Sequence, residues 1–317
     1  MNKALLLSLS AVAVLFSLSA CEKDQPEPGP GPGPDPVDEI QTINVLAPKD
    51  VTVSTKGTSI QDGSALVFNW AVGDTLGIFP NKGNQVEFPI TAAQSSTSAT
   101  FDGGGWALKN NASYAAYYPF SVWDYHRDNE TIMMDYTGQV QDGNGGFAHL
   151  SAYDFLASDK ATPMNNAVTF QMVRQGSILY IDIEVPKAGA VKSLTISCND
   201  AIFIEKAALD ISGDTPVVKP INMTDKLTLT FANVTTTTAK ETVRAYMAVQ
   251  PVDFSQKSVT ATIAVGSKKY WAPVTPRVIE RGKAAFLRFL DDFIDESVVA
   301  NPTATISDFE FDDEVTT

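Results

Sequence analysis

Cysteine and histidine are scarce in this chain, with two of each among 317 residues. That scarcity excludes a disulfide framework and leaves little from which to build a metal site. His126 and His149 have no suitably spaced cysteine or second histidine, and each reads as a surface or hydrogen-bonded side chain. No Gly-x-Ser-x-Gly elbow, His-Glu-x-x-His, Cys-x-x-Cys or phosphate-binding loop occurs. Hydrolytic, redox and nucleotide chemistry therefore lack their usual constellations; the chain reads as a non-enzyme, and no cofactor is expected. The stretch "DGNGG" (142–146) begins as a calcium loop does, but Tyr153 stands where a bidentate glutamate is needed. It reads as a flexible hairpin or loop. With 37 acidic residues, chance carboxylate pairs are unavoidable, so they do not argue for glycoside hydrolysis. Basic residues are few, 23 against those 37, and such a surface repels nucleic acid phosphates and anionic lipid headgroups. Sustained helical periodicity is missing too. Beyond the first twenty residues no apolar run is long enough to span a bilayer.

What is there begins at the N-terminus. Lys3 supplies a positive charge, and Ala4 to Phe16 form an apolar run broken only by serines. The run is too short for a permanent membrane helix and ends at small residues, so residues 1–20 read as a secretory signal. Leu18-Ser19-Ala20-Cys21 resembles the lipobox of bacterial lipoproteins. The resemblance implies that the Cys21 thiol receives a diacylglycerol, that the signal is cut before it, and that the new amine is acylated. Each buried methylene contributes about 0.8 kcal/mol, and stable anchoring needs more than one chain. Residues 21–41 then form a tether: Glu22 to Pro36 alternates proline with glycine and offers no core side chain to offset the entropy of ordering it. Its reach is at most about 45 Å at ~3.1 Å per residue. Glu22-Lys23-Asp24 resembles the short charged signals that send lipoproteins to the outer face of the outer membrane. Without the signal, 22 basic residues face 37 acidic ones, a formal charge of −15. Only Cys198 then remains free, and in "LTISCNDAIFI" it reads as a buried small hydrophobe.

Beyond the tether, strands recur almost without interruption. "INVL", "ALVF", "TLGIF", "QVEFPI", "SATF", "SYAAYY", "VTFQMV" and "SILYIDIEV" are short β-branched and aromatic runs between turn clusters. After Pro186 the pattern continues in "SLTISC", "AIFIEKA", "KLTLTF", "VRAYMAV", "SVTATIAV", "KYWAPV" and "AAFLRF". A helical turn is expected only over 151–155 and 286–294. The pattern predicts an all-β chain of sandwich domains, with a break near Pro186-Lys187-Ala188-Gly189, where proline and glycine interrupt it. The expected units are residues 42–186 and 187–292, followed by an acidic tail over 293–317.

Several stretches resemble the fimbrillin family, the outer-membrane-anchored subunits of type V pili. "FNWAVGDTLGIFP" (68–80) is similar to that family's tryptophan, Gly-Asp and "xGIF" signature, carried here by Trp70, Gly73, Asp74, Gly77 and Phe79. "SYAAYYPF" (113–120) is similar to its tyrosine-rich strand, and "YDFLAS" (153–158) and "VTFQMVRQGSILYIDI" (168–183) follow in the family's order. "AYMAVQPVDF" and "VIERGKAAFLRF" resemble its later strands. The resemblance implies two tandem transthyretin-like β-sandwiches and a role in adhesion as a pilus subunit, with other subunits as partners and a host or bacterial surface as target. Read from the residues alone, Gly73-Asp74 makes a turn, with Asp74 hydrogen-bonding nearby backbone amides. Trp70, Leu76, Ile78 and Phe79 bring large apolar side chains to the interior, and Trp70 is structural.

Two segments are expected to act in assembly. The resemblance implies that a protease removes the N-terminal strand, within "INVLAPKDVTVSTKG" (43–57), and that a neighbour's strand fills the groove. The family's usual cut follows an arginine. Here the first arginine after Cys21 is Arg127, and only Lys49 and Lys56 stand in the right place. A cut after one of these lysines yields a polymerising unit, whereas an uncut strand makes the protein a membrane-retained anchor or accessory subunit. In the tail, "ATISDFEF" (304–311) sets Ile306, Phe309 and Phe311 in an extended context, with nine acidic and no basic residues after Phe289. It reads either as a donor strand for another subunit or as the last strand of the protein's own second domain. A second functional class is a glycan-binding surface lipoprotein of a nutrient-uptake system. It would use Trp106, Tyr114, Tyr117, Tyr118, Trp123, Tyr125 and Tyr136 as an aromatic platform, although the alternation in "SYAAYYPF" points part of that set into the core.

Overall fold

Strand-forming patterns become strands through most of the chain. The computed structural model describes residues 42–47, 53–54, 70, 73–81, 84–90, 98–101, 108–121 and 130–299. Cys21 and the tether, Lys49, Lys56, Trp106, Trp123, Tyr125, His126, Ile306, Phe309 and Phe311 lie outside the described residues. The first strands are β1 (Thr42–Leu46), β2 (Val53–Ser54), β3 (Thr75–Asn81), β4 (Asn84–Pro89) and β5 (Ser98–Phe101). Next come β6 (Ala116–Tyr118), β7 (Thr131–Asp135), β8 (Val140–Asp142), β9 (Leu156–Ser158), β10 (Ala167–Arg174) and β11 (Ser177–Glu184). β12 (Gly189–Cys198), β13 (Phe203–Asp210), β14 (Val217–Thr224), β15 (Lys226–Ala232) and β16 (Thr235–Thr236) follow. The last are β17 (Thr242–Val249), β18 (Val252–Asp253), β19 (Val259–Val265), β20 (Lys268–Val274), β21 (Val278–Ile279), β22 (Ala284–Phe289) and β23 (Ile294–Asp295).

The first helical turn expected from sequence falls close to a 3-10 turn at Ala148–Ala152. The second does not form: β22 occupies Ala284–Phe289, because Ala284, Leu287 and Phe289 are drawn into the core as a strand paired with β11. Tertiary pairing overrides a weak local preference there.

Two large sheets dominate. A seven-stranded sheet runs in the order β4-β3-β6-β9-β10-β1-β5, and a second runs β23-β20-β19-β12-β15-β8 with β16 also on β12. Alongside them stand a four-stranded sheet, β17-β11-β22-β2, a three-stranded β14-β13-β7 sheet and a β18-β21 pair.

Burial follows period-two alternation where one face is covered. In β10, Val168, Phe170 and Met172 are buried while Thr169, Gln171 and Val173 face solvent. β11 is different, being apolar on both faces. Leu179, Ile181 and Ile183 join one core with β12, β15, β17 and β19, whereas Ile178 and Tyr180 join a second with Met134, Tyr136 and Tyr246. A third core lies under the first sheet, around Val45, Trp70, Phe88, Phe101 and Phe170. The near-continuous apolar run "SILYIDI" is therefore a strand sandwiched between two cores.

Strand pairing repeatedly crosses residue 186. β7 pairs with β13, β8 pairs in parallel with β15, β2 pairs in parallel with β22, and β11 lies between β17 and β22. The segments 53–54 and 131–142 thus complete sheets made mostly of later residues.

Candidate functional site

The signature around Trp70 is a structural joint. Gly73 adopts φ +100°, with open space where a Cβ would stand, so the turn requires glycine for its backbone angle. Beyond it, β3 alternates: Leu76 and Ile78 enter the core around Val45, and Phe79 enters the core around Tyr136. Gly77 is needed for space instead, since a Cβ there would stand 1.9 Å from Cε1 of Tyr117. The carboxylate of Asp74 accepts a 2.9 Å hydrogen bond from the hydroxyl of Tyr118, and its carbonyl accepts from the amide of Ile90 at 2.9 Å. Trp70 is buried edge-on against Phe101 and Tyr118, at 5.3 and 5.4 Å between ring centroids. Its role is packing.

Among the described residues, four members of the aromatic platform of the glycan reading are not available at the surface. Tyr114, Tyr117, Tyr118 and Tyr136 are all buried, none more than 5% exposed, so no sugar ring can stack on them. Burial pushes the Tyr136 and Tyr118 hydroxyls well above the ordinary phenol range, in Tyr118 with help from the Asp74 carboxylate. The apolar periodicity of "SYAAYY" serves the interior.

β1 occupies an interior slot rather than an edge. It pairs in parallel with β10 over Thr42–Leu46 and antiparallel with β5 over Ile43–Leu46. Ile43 and Val45 are 4% and 0% exposed, and alternate with half-buried Thr42 and Asn44. β2 lies elsewhere, on the outer side of β22.

A cleft of about 470 Å³ opens beside the end of β10, walled in part by Asp159, Arg174, Gln175 and Arg281. Arg281 donates from Nε to the carbonyl of Arg174 at 3.3 Å and from Nη2 to Oε1 of Gln175. Under it, Nε of Arg174 lies 3.0 and 2.9 Å from the two carboxylate oxygens of Asp154. Burial pushes the Asp154 carboxyl up, against the opposing pull of that guanidinium. The groups tie β10 to the loop before β22 and include no nucleophile with an adjacent base. Among the described residues no cluster of histidine, cysteine, aspartate or glutamate is arranged to hold a metal ion, and no helix is long and apolar enough to cross a membrane.

The residues that sequence reasoning missed stand beside β17. Gln139 is hydrogen-bonded to both the amide and the carbonyl of Ala248, at 2.7 and 2.8 Å. Gln141 accepts from the amide of Tyr246 at 2.8 Å and donates to the carbonyl of Arg244 at 2.7 Å. Asn144 accepts from the amide of Arg244 at 2.7 Å and donates to the carbonyl of Thr242 at 2.9 Å. His149 Nε2 lies 2.9 Å from the carbonyl of Tyr246, and Cys198 is buried as expected. The "DGNGG" stretch is thus a turn, with Gly143 and Gly145 at φ +73°, that presents Asn144 to a strand. Only the glutamine pair at i, i+2 before that turn hinted at it.

No family model matches the chain, and no curated protein matches it. Solved structures do. A "putative cell adhesion protein" from Bacteroides ovatus aligns over 81% of this chain and 95% of its own, with TM-score 0.51 and 13% identity. A second protein of the same description, from Bacteroides uniformis, aligns over 82% of this chain and 96% of its own, with TM-score 0.51 and 14% identity. At that identity the likeness concerns the fold: an all-β architecture that this chain shares with these two Bacteroides proteins nearly end to end of theirs.

Proposed function

We propose that this chain is a surface-exposed fimbrial or cell-adhesion subunit, moored to the outer membrane through acyl chains on Cys21, that joins its neighbours by strand complementation. The observation that carries this reading is the position of β1, an interior strand hydrogen-bonded on both sides and followed three residues later by Lys49. Removing it would leave a slot about 17 Å long between β10 and β5, at ~3.3 Å per residue. Unpaired backbone groups on both walls, and the space left by Ile43 and Val45, would then favour an incoming strand over water. A cut after Lys49 would take β1 alone, whereas a cut after Lys56 would also take β2 from β22. On an extended tail, Phe309 and Phe311, two residues apart, would present apolar side chains to one face of such a slot, with Ile306 on the opposite face. The shared fold with two proteins named for cell adhesion, and the fimbrillin-like signature at Trp70 to Phe79, support the same assignment.

Sequencing the N-terminus of subunits recovered from surface fibres tests the reading. Polymerised chains are expected to begin at Asp50 or Gly57, and membrane-retained chains at acylated Cys21. Fibre-borne chains that still carry β1 would overturn strand replacement. Labelled palmitate tests the mooring independently: no label on the wild type, or a Cys21→Ser variant that stays fixed to the envelope, would end it. Crosslinks from Phe309 confined within one chain of assembled material would remove the donor role from the tail.

A further inference from the structure

We propose that Gln139, Gln141 and Asn144 form an edge-blocking ladder, in which side-chain amides take the place of a neighbouring strand along β17 and so prevent strand addition there. β17 is the terminal strand of its sheet, and the residues whose backbone groups point away from β11 are Thr242, Arg244, Tyr246 and Ala248. From the carbonyl of Thr242 to the carbonyl of Ala248, each of those groups has a partner from segment 139–149. Asn144 binds the Thr242 carbonyl and the Arg244 amide, and Gln141 binds the Arg244 carbonyl and the Tyr246 amide. The amide of Gly145 adds a second bond to the Arg244 carbonyl at 3.0 Å. His149 then takes the Tyr246 carbonyl, and Gln139 takes both groups of Ala248.

The chemistry explains the residue types. A side-chain amide carries one carbonyl and one NH₂, the same donor and acceptor pair as a peptide group. Two glutamines at i, i+2 on an extended segment lie on one side about 6.6 Å apart, which matches the i, i+2 repeat of outward groups on β17. Aliphatic residues would leave a row of buried N–H and C=O groups without partners, and glutamate would offer acceptors only. Gln139 and Gln141 are 1% and 0% exposed, so these amides are interior fittings. The same segment meets β15 through its backbone, with Val140, Gln141 and Asp142 opposite Thr230, Phe231 and Ala232. It therefore closes the gap between two sheet edges, with main-chain pairing to β15 and mostly side-chain bonds to β17.

An open strand edge of eight residues is a template for another chain. On β14, also a terminal strand, the interruption comes instead from Lys219 and Pro220. β17 carries neither proline nor lysine and depends on the ladder. In a protein that assembles by strand exchange, blocking this edge would confine exchange to the intended slot. The blocking itself does not depend on that function.

The test compares the full mature chain with its Gln139→Ala/Gln141→Ala/Asn144→Ala variant. Folding is checked by circular dichroism, and hydrogen exchange is followed at the amides of Arg244, Tyr246 and Ala248. Their exchange is expected to rise roughly ten- to hundredfold, while Val243, Ala245 and Met247, facing β11, hold their protection. Sedimentation is expected to show concentration-dependent self-association of the variant alone, with intermolecular crosslinks at β17. Unchanged exchange would overturn the ladder, and faster exchange in a variant that stays monomeric would overturn its blocking role. Should the triple variant fail to fold, Asn144→Ala, at an exposed position, carries the test. It should free the Arg244 amide and raise association, and a change in neither would refute the proposal.

Discussion

The hydroxyl of Tyr118 donates a 2.9 Å hydrogen bond to Oδ1 of Asp74, joining the turn before β3 to β6 across 44 residues of sequence. Tyr118 is buried, so the bond lies in a poorly solvated setting. Hydrogen bonds to charged groups contribute about 1.5–3 kcal/mol. Tyr118→Phe is expected to lower stability by that amount while keeping the edge-on ring contact with Trp70. Urea denaturation of Tyr118→Phe, Asp74→Ala and the double variant checks the point, since coupling should make the double loss smaller than the sum of the single losses.

Gly77→Ala should be more damaging than its single methyl suggests. The added Cβ would collide with the ring of Tyr117, which is 1% exposed and donates its hydroxyl to Oε1 of Gln85. With the ring confined, the strand must shift, at a cost of about 1–3 kcal/mol or more. Pairing the change with Tyr117→Ala removes the clash but opens a cavity, so the double variant should lose less Tm than the sum of the two single losses.

Asp154→Asn should destabilise through Arg174. The guanidinium is 4% exposed and would lose the carboxylate that balances it. Breaking a buried pair by removing one partner costs about 3–5 kcal/mol, or roughly 6–20 °C in Tm for a protein of this size. Replacing both residues by apolar ones of similar volume should restore most of that loss, which calorimetry would detect.

His149 should make stability fall in mild acid. Burial holds its imidazole below the ordinary value, against the hydrogen bond to the Tyr246 carbonyl, and its Nδ1 is buried with no partner. The unfolded chain takes up a proton near pH 6.5, where the folded chain resists it. The stabilisation is therefore complete above about pH 6.5 and is lost as pH falls toward the lower folded value. Denaturant midpoints for wild type and His149→Gln, measured from pH 7.5 to 5, should converge in shape only if another group dominates.

Much of the fold was legible because burial leaves a period in the sequence. "VTFQMV" alternates and forms a half-buried strand, and "SILYIDI" is nearly all apolar and forms a strand between two cores. β7 and β8 were not legible. "TIMMD" and "VQD" are short, and they are strands because β13 and β15 complete them from residues far along the chain. The burial of Tyr114, Tyr117, Tyr118 and Tyr136 was only partly legible, because tyrosine serves interior and surface equally and only packing separates the two uses.

By itself the sequence determined the all-β character and the turn at Gly73, since each depends on composition or on neighbours a few residues apart. Tertiary structure decided that β1 lies inside a sheet, that pairing crosses residue 186, and that Gln139 serves a strand 109 residues away. The physical reason is that an amide side chain has no local partner preference strong enough to read. Its role is fixed only when folding brings unpaired backbone groups within about 3 Å of it.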